Sequence, residues 1–207
     1  TMLQMRDSKL PVIAAPVGMS IGGGFEVVLH ADHVVSHANS VMGLVESFVG
    51  VVPAGGGCKE MLYRWTEKLN DTQKGAWKSF MNIGLGRKAN SPQEADALAM
   101  RRADDVFQMN RDRILNIALS KLDDTKKASQ RSPLALSGAE HFKEMLEWLE
   151  VNNKKGMLTP HDVTVGTEIG RIMSGGDCPA GTVFSEQEIL DAERSSFITL
   201  AQTQETQ

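Results

Sequence analysis

The sequence predicts an α/β fold whose strands are confined to its first part and whose remainder is mainly helical. Three observations carry this. Apolar, β-branched runs of strand length, Pro11–Val17 and His33–Ser36, alternate with glycine-rich turns near the amino end. Further on, apolar residues recur at helical spacing behind repeated cap signals. No internal repeat interrupts the pattern, and the only low-complexity tract is the Gln/Thr-rich tail. The expected division is an α/β part over residues 1–100 and a helical region over residues 101–207.

Residues 1–7 read as the end of a helix, broken at Ser8–Pro11. The run Pro11–Val17 delivers the chain to Gly18, and Ser20 with Gly22, Gly23 and Gly24 makes a turn. Phe25–His30 opens a helix that carries Glu26. His33–Ser36 is a second strand, followed by the short apolar stretch Val41–Val45 that ends at Glu46. Pro53 is expected to open the next helix, with Met61, Leu62 and Trp65 on one face. Asp71 is a candidate N-cap for a helix through Leu85, with Trp77, Phe80 and Met81 inward. Ser91–Glu94 reads as a capping box with proline at the first helical position, starting a helix through Ala99. Met109–Leu122 holds Ile114, Ile117, Ala118 and Leu122 at helical spacing. Asp123–Leu134 is polar and charged, as a linker or mobile loop would be. Three capped helices are expected after it: Ser137 to about Asn153, Thr159 to the Gly175–Gly176 stop, and Ser185 onward.

Composition excludes several classes. A net charge of −4 gives no electrostatic case for nucleic acid. The two cysteines, Cys58 and Cys178, have neither metal nor redox spacing, so a reducing, cytoplasmic compartment is expected. No apolar span is long enough to cross a bilayer. His30, Asp32, His33 and His37 lie close in sequence, but a strand break spoils a common ligand face, so structural or surface roles and no metal are expected. Gly55, Gly56, Gly57, Cys58 and Lys59 lack the spacing and the Ser/Thr of a phosphate loop, and read as a close-packing helix start.

Two glutamates in mostly apolar surroundings, Glu26 and Glu46, are the candidate acid/base pair. Two carboxylates sharing an apolar pocket cannot both ionise freely, so one is expected to keep its proton to higher pH. The glycines before Glu26 let a ligand approach the free N–H groups of a helix start. Each feature has a plainer alternative. Glu26 would be a solvated helix residue, Glu46 a loop residue, and the triple glycine a tight turn. Phe25 and Val45 would line an acyl pocket or simply pack the core.

The residues Ile13, Ala14 and Ala15, Gly18, Gly22 through Glu26, Asp32, Met42 through Glu46, Gly50 and Pro53 through Gly57 together resemble the second half of the crotonase core, the enoyl-CoA hydratase/isomerase family. Met100–Asp105, Met109–Arg113, Thr159–Val163 and Asp191–Arg194 resemble a subgroup in which a 3-hydroxyacyl-CoA dehydrogenase precedes the crotonase module. The resemblance implies a partial crotonase-like core followed by the helical region. It implies that Glu26 and Glu46 are catalytic and hold one water between them for syn addition to a trans-2-enoyl-CoA. Glu26 helps to activate that water and Glu46 exchanges a proton with the α-carbon. Gly23 donates its N–H to the thioester oxygen, a kind of donor typically worth about 3–4 kcal/mol. Gly22, Gly24, Phe25 and Val45 contact the substrate. The implied partner is an acyl-CoA thioester, and the crotonase step needs no cofactor. NAD belongs to the dehydrogenase expected upstream, since no dinucleotide fingerprint is present here. A crotonase module begins well before the position matched by Thr1, so the chain reads as the carboxy-terminal part of a bifunctional β-oxidation enzyme, with the second oxyanion amide upstream. The alternative from another class is a non-catalytic docking module, or one that builds a homo-oligomer.

Overall fold

The computed structural model describes residues 2–127 and 129–206. Thr1 of the first expected helix, Ala128 of the expected linker and Gln207 of the tail lie outside them. Two compact units share the chain. Unit 1 is Thr1–Leu44 with Lys88–Arg131, and unit 2 is Val45–Arg87 with Ser132–Gln207. The expected division at residue 100 follows the sequence, whereas these units interleave along it.

Unit 1 holds α1 (Met2–Arg6), β1 (Ile13–Ala14), β2 (Met19–Ile21), α2 (Gly23–His30), β3 (His33–His37) and β4 (Val41–Gly43). The expected single strand Pro11–Val17 is thus shorter, and pairing resumes as β2 after Gly18, at φ 101. Strand β3 pairs in parallel with β1 and with a later strand, β6 (Val106–Gln108). Strand β4 pairs in parallel with β2 and antiparallel with β5 (Lys88–Ala89). Helix α5 (Pro92–Ala97) is capped by Ser91, whose Oγ accepts from Glu94 N. The expected box does not close on Ser91, because the Glu94 carboxylate accepts instead from Asn90 N at 2.7 Å. The helix also stops before the expected Ala99, which sits at φ 56. The expected Met109–Leu122 helix is a 3-10 turn (Arg111–Arg113) followed by α6 (Ile114–Ser120). Ile114 and Ala118 of α6 pack on Val35 of β3, with Ile13, Val106 and Ile117 around them.

Unit 2 is helical. It holds a 3-10 helix (Glu46–Val49), α3 (Gly57–Leu69), α4 (Thr72–Gly84), β7 (Leu134–Ala135), α7 (Gly138–Lys154), α8 (Pro160–Ser174), β8 (Val183–Phe184) and α9 (Glu186–Ala201). Antiparallel β7 and β8 bracket α7 and α8. Helix α8 packs on α3, α4, α7 and α9. Met61, Leu62, Phe80, Ile83, Met145, Ile169 and Met173 form its core, while Trp77 and Met81, expected inward, are half-buried. Asp71 caps α4 by accepting from Lys74 N at 3.0 Å, and those bonds hold its carboxyl below the usual range. Thr159 and Ser185 close full capping boxes at α8 and α9, and Gly175 ends α8 at φ 86. Two expectations are corrected. Ser137 does not cap α7, because its hydroxyl is spent on His141 Nδ1 at 2.7 Å. Pro53 does not open α3, which starts four residues later behind Gly56 in the left-handed region (φ 101). Among the described residues no helix is long and apolar enough to cross a membrane.

Candidate active site

In unit 1 the site is built by one parallel register. Met19, Ser20 and Ile21 pair with Val41, Met42 and Gly43. Gly22 N extends the ladder by donating to Gly43 O at 2.9 Å. Gly22 then turns with φ 56 and ψ −134, backbone space reserved for glycine. Helix α2 starts at once. Of its first four amides, those of Phe25 and Glu26 donate to Gly22 O at 2.8 and 3.0 Å. The amides of Gly23 and Gly24 have no acceptor among the described residues. Both glycines are exposed, and a Cβ on either would meet nothing within 4 Å. Two aligned N–H groups at the positive end of a helix thus face open space. Beside them Phe25 is fully buried, as a core residue would be, and Glu26 is buried at 5 % exposure. Gly22, Gly23, Gly24, Phe25 and Glu26, consecutive in sequence, thus form the turn and the first turn of α2.

Val45 and Glu46 belong to unit 2. Glu46 is half-buried at the head of the 3-10 helix, and both its carboxylate oxygens are shielded from solvent. Its turn is fixed from several sides. Gly50 N and Val51 N donate to Glu46 O, and Ser47 Oγ donates to Ile83 O at 2.9 Å. Gly50 lies at φ 80, and a Cβ there would strike His161 Nε2 and Thr206 Oγ1 at 2.6 and 2.7 Å.

The glycine loop after Glu46 is also locked. Glu193 of α9 accepts from Gly56 N at 2.8 Å and from Lys59 N at 2.5 Å, capping α3 from a distant helix. Lys59, fully buried, bridges Glu60 at 2.8 Å and Glu186 at 2.7 Å. It is an interior cation and reaches no surface on which a phosphate could sit. No signal near Gly56 announces Glu193, because the partner lies 137 residues away.

The histidines disperse. His30 Nδ1 lies 2.8 Å from Glu26 O, and His37 Nε2 lies 3.0 Å from Met109 O. His33 was not expected to join a cluster, yet it, Asp104 and Asp105 offer ligand-type atoms within 4.8 Å of one another. Asp105 already accepts Val34 N on one oxygen and Arg102 N on the other, which makes the trio a polar junction at the start of β3.

Residues 1–68 match the enoyl-CoA hydratase/isomerase family, and that span contains Gly22 through Glu26, Val45 and Glu46. The fold is that of the crotonases: a carnitinyl-CoA hydratase from Mycobacterium avium superposes with a TM-score of 0.53 at 17 % identity, over 95 % of this chain and 56 % of that one. Among curated relatives, a protein of Bacillus subtilis named as a 3-hydroxyacyl-CoA dehydrogenase is 31 % identical over 205 residues, 97 % of this chain and 26 % of that protein. A protein of Rickettsia prowazekii named as a fatty acid oxidation complex trifunctional enzyme is 27 % identical over 210 residues, again 26 % of its length. The chain spans about a quarter of the length of these relatives.

Proposed function

We propose that this chain is the crotonase-type part of a fatty-acid β-oxidation enzyme, and that its site adds water to a trans-2-enoyl-CoA to give a 3-hydroxyacyl-CoA. The observation that carries the reading is the β2–β4 register. It sets the free-amide end of α2, with Glu26 in its first turn, beside Gly43. In this reading Gly23 N–H holds the thioester oxygen as enolate charge develops there. Water adds across the double bond: its hydroxyl goes to the β-carbon as Glu26 takes the proton, and Glu46 delivers a proton to the α-carbon. The pair then exchanges one proton and is reset. The scheme starts with the proton on Glu46 and returns it there. Gly22, Gly24 and Val45 line the approach. The step uses no cofactor. NAD would serve a 3-hydroxyacyl-CoA dehydrogenase in the same polypeptide, a reading supported by the name of the Bacillus subtilis relative.

A docking role is favoured by a different observation. Leu10, ahead of edge strand β1, and Met19, the first residue of edge strand β2, are 75 % and 71 % exposed, apolar surface suited to cover by another segment. Hydration is tested with crotonyl-CoA in ¹⁸O-water. The reading expects one labelled oxygen in the 3-hydroxyacyl product. Recovery of unlabelled substrate alone would leave the docking role.

A further inference from the structure

The amide end of α2 faces open space, but its carboxyl end does not. A helix leaves its last carbonyls without partners, and at the carboxyl end of α2 one side chain from far along the sequence takes Leu29 O of the last turn together with the carbonyls of Ala31 and Asp32 just beyond it. Arg102 donates from Nη1 to Ala31 O at 2.6 Å and to Asp32 O at 3.4 Å, and from Nη2 to Leu29 O at 3.2 Å. Its own backbone is fixed, since Arg102 N donates to Asp105 Oδ2 at 2.7 Å while Asp105 Oδ1 accepts from Val34 N at 3.0 Å. One carboxylate thus ties the arginine to β3, directly beyond the helix it caps. Asp32, the next residue along, is anchored as well, accepting Val12 N at 2.7 Å and Lys127 Nζ at 2.6 Å.

We propose that Arg102 is a positioning residue for the oxyanion amide of Gly23, acting through α2. The proposal rests on the hydration reading above. Helix α2 has only eight residues, about 12 Å at 1.5 Å per residue. A shift at its carboxyl end is therefore transmitted to Gly23 with no intervening flexible turn. A cation at this end also complements the helix dipole. The fork is specific to arginine. A lysine ammonium supplies the charge but not a planar set of donors able to reach carbonyls in three directions.

The test uses the whole chain with Arg102→Ala and Arg102→Lys. Backbone amide hydrogen exchange is followed through α2, and crotonyl-CoA hydration is resolved into kcat and KM. The alanine variant is expected to speed exchange at Val27–His30 by about tenfold or more, with the amides of α3 and α4 unchanged. It is expected to lower kcat by about tenfold to a hundredfold while KM moves by less than about twofold. The lysine variant falls between the two and keeps the fold measurable if the alanine variant does not. Unchanged exchange in α2, a loss carried wholly by KM, or full recovery with lysine would each overturn the proposal. If the unsubstituted chain does not hydrate crotonyl-CoA, the hydration reading falls on its own, and exchange in α2 still decides whether Arg102 positions the helix.

Discussion

Replacing Glu193 by alanine should cost unit 2 about 4 kcal/mol. Glu193 is completely buried and its two oxygens accept from Gly56 N, at the N-cap of α3, and from Lys59 N in the first turn. Each is a hydrogen bond to an ionised group in a dry interior, worth about 1.5–3 kcal/mol, so the pair supplies about 3–6 kcal/mol. Removing the carboxylate also removes its own desolvation penalty, which trims the net loss to about 4 kcal/mol. Lys59 keeps Glu60 and Glu186, so the interior cation is not stranded. The assay is urea unfolding followed by tryptophan fluorescence. Trp65, Trp77 and Trp148 all lie in unit 2, so the signal reports that unit alone. At about 4 °C per kcal/mol for a unit of this size, the midpoint of thermal unfolding should fall by about 15 °C. Glu193→Gln, which retains one acceptor oxygen, should lose about half as much. A loss below about 1 kcal/mol in the alanine variant would refute the reasoning, because a single surface cap accounts for that much.

Two glycines in α4 should respond oppositely to alanine. Gly84 has room, since a Cβ would touch only Ile169 Cδ1 at 3.9 Å beside a cavity of about 20 Å³, so Gly84→Ala should stabilise by about 0.5 kcal/mol in urea unfolding. Gly75 has none, since a Cβ would sit 2.7 Å from Thr66 N, so Gly75→Ala should destabilise by about 2 kcal/mol through separation of α3 and α4. Unit 2 should also weaken in mild acid through His141. Burial, only partly opposed by the carboxylates of Glu144 and Asp71, holds this imidazole below the ordinary histidine range. The unfolded chain binds the extra proton first, so the stabilisation is complete above the ordinary histidine range and declines as pH falls below it. His141→Gln should remove that part of the slope, and an unchanged slope would assign it elsewhere.

Local chemistry made much of the fold readable. Asp71, Ser91, Thr159 and Ser185 cap the helices they precede because a short polar side chain reaches its own first turn. The glycine turn before α2 is likewise local: Gly22 occupies backbone space that other residues avoid, and Glu26 follows within one helical turn. What could not be read depended on distant partners. The start of α3 is set by Glu193, the end of α2 by Arg102, and the hydroxyl of Ser137 is diverted to His141. The interleaving of the two units arises because Lys88–Arg131 returns to the sheets of the first segment, through pairings such as Val35 with Val106. A window of ten or twenty residues contains none of these partners.

The central claim is that Glu26 and Glu46 act together on an enoyl thioester. Its most direct test is the loss of enoyl-thioester absorbance with crotonyl-CoA, measured for the chain and for Glu26→Gln and Glu46→Gln separately. The account predicts turnover by the chain and a loss of about a hundredfold or more in kcat in each variant, as expected when a positioned acid or base is removed. Equal rates in the chain and in the Glu46→Gln variant would contradict it.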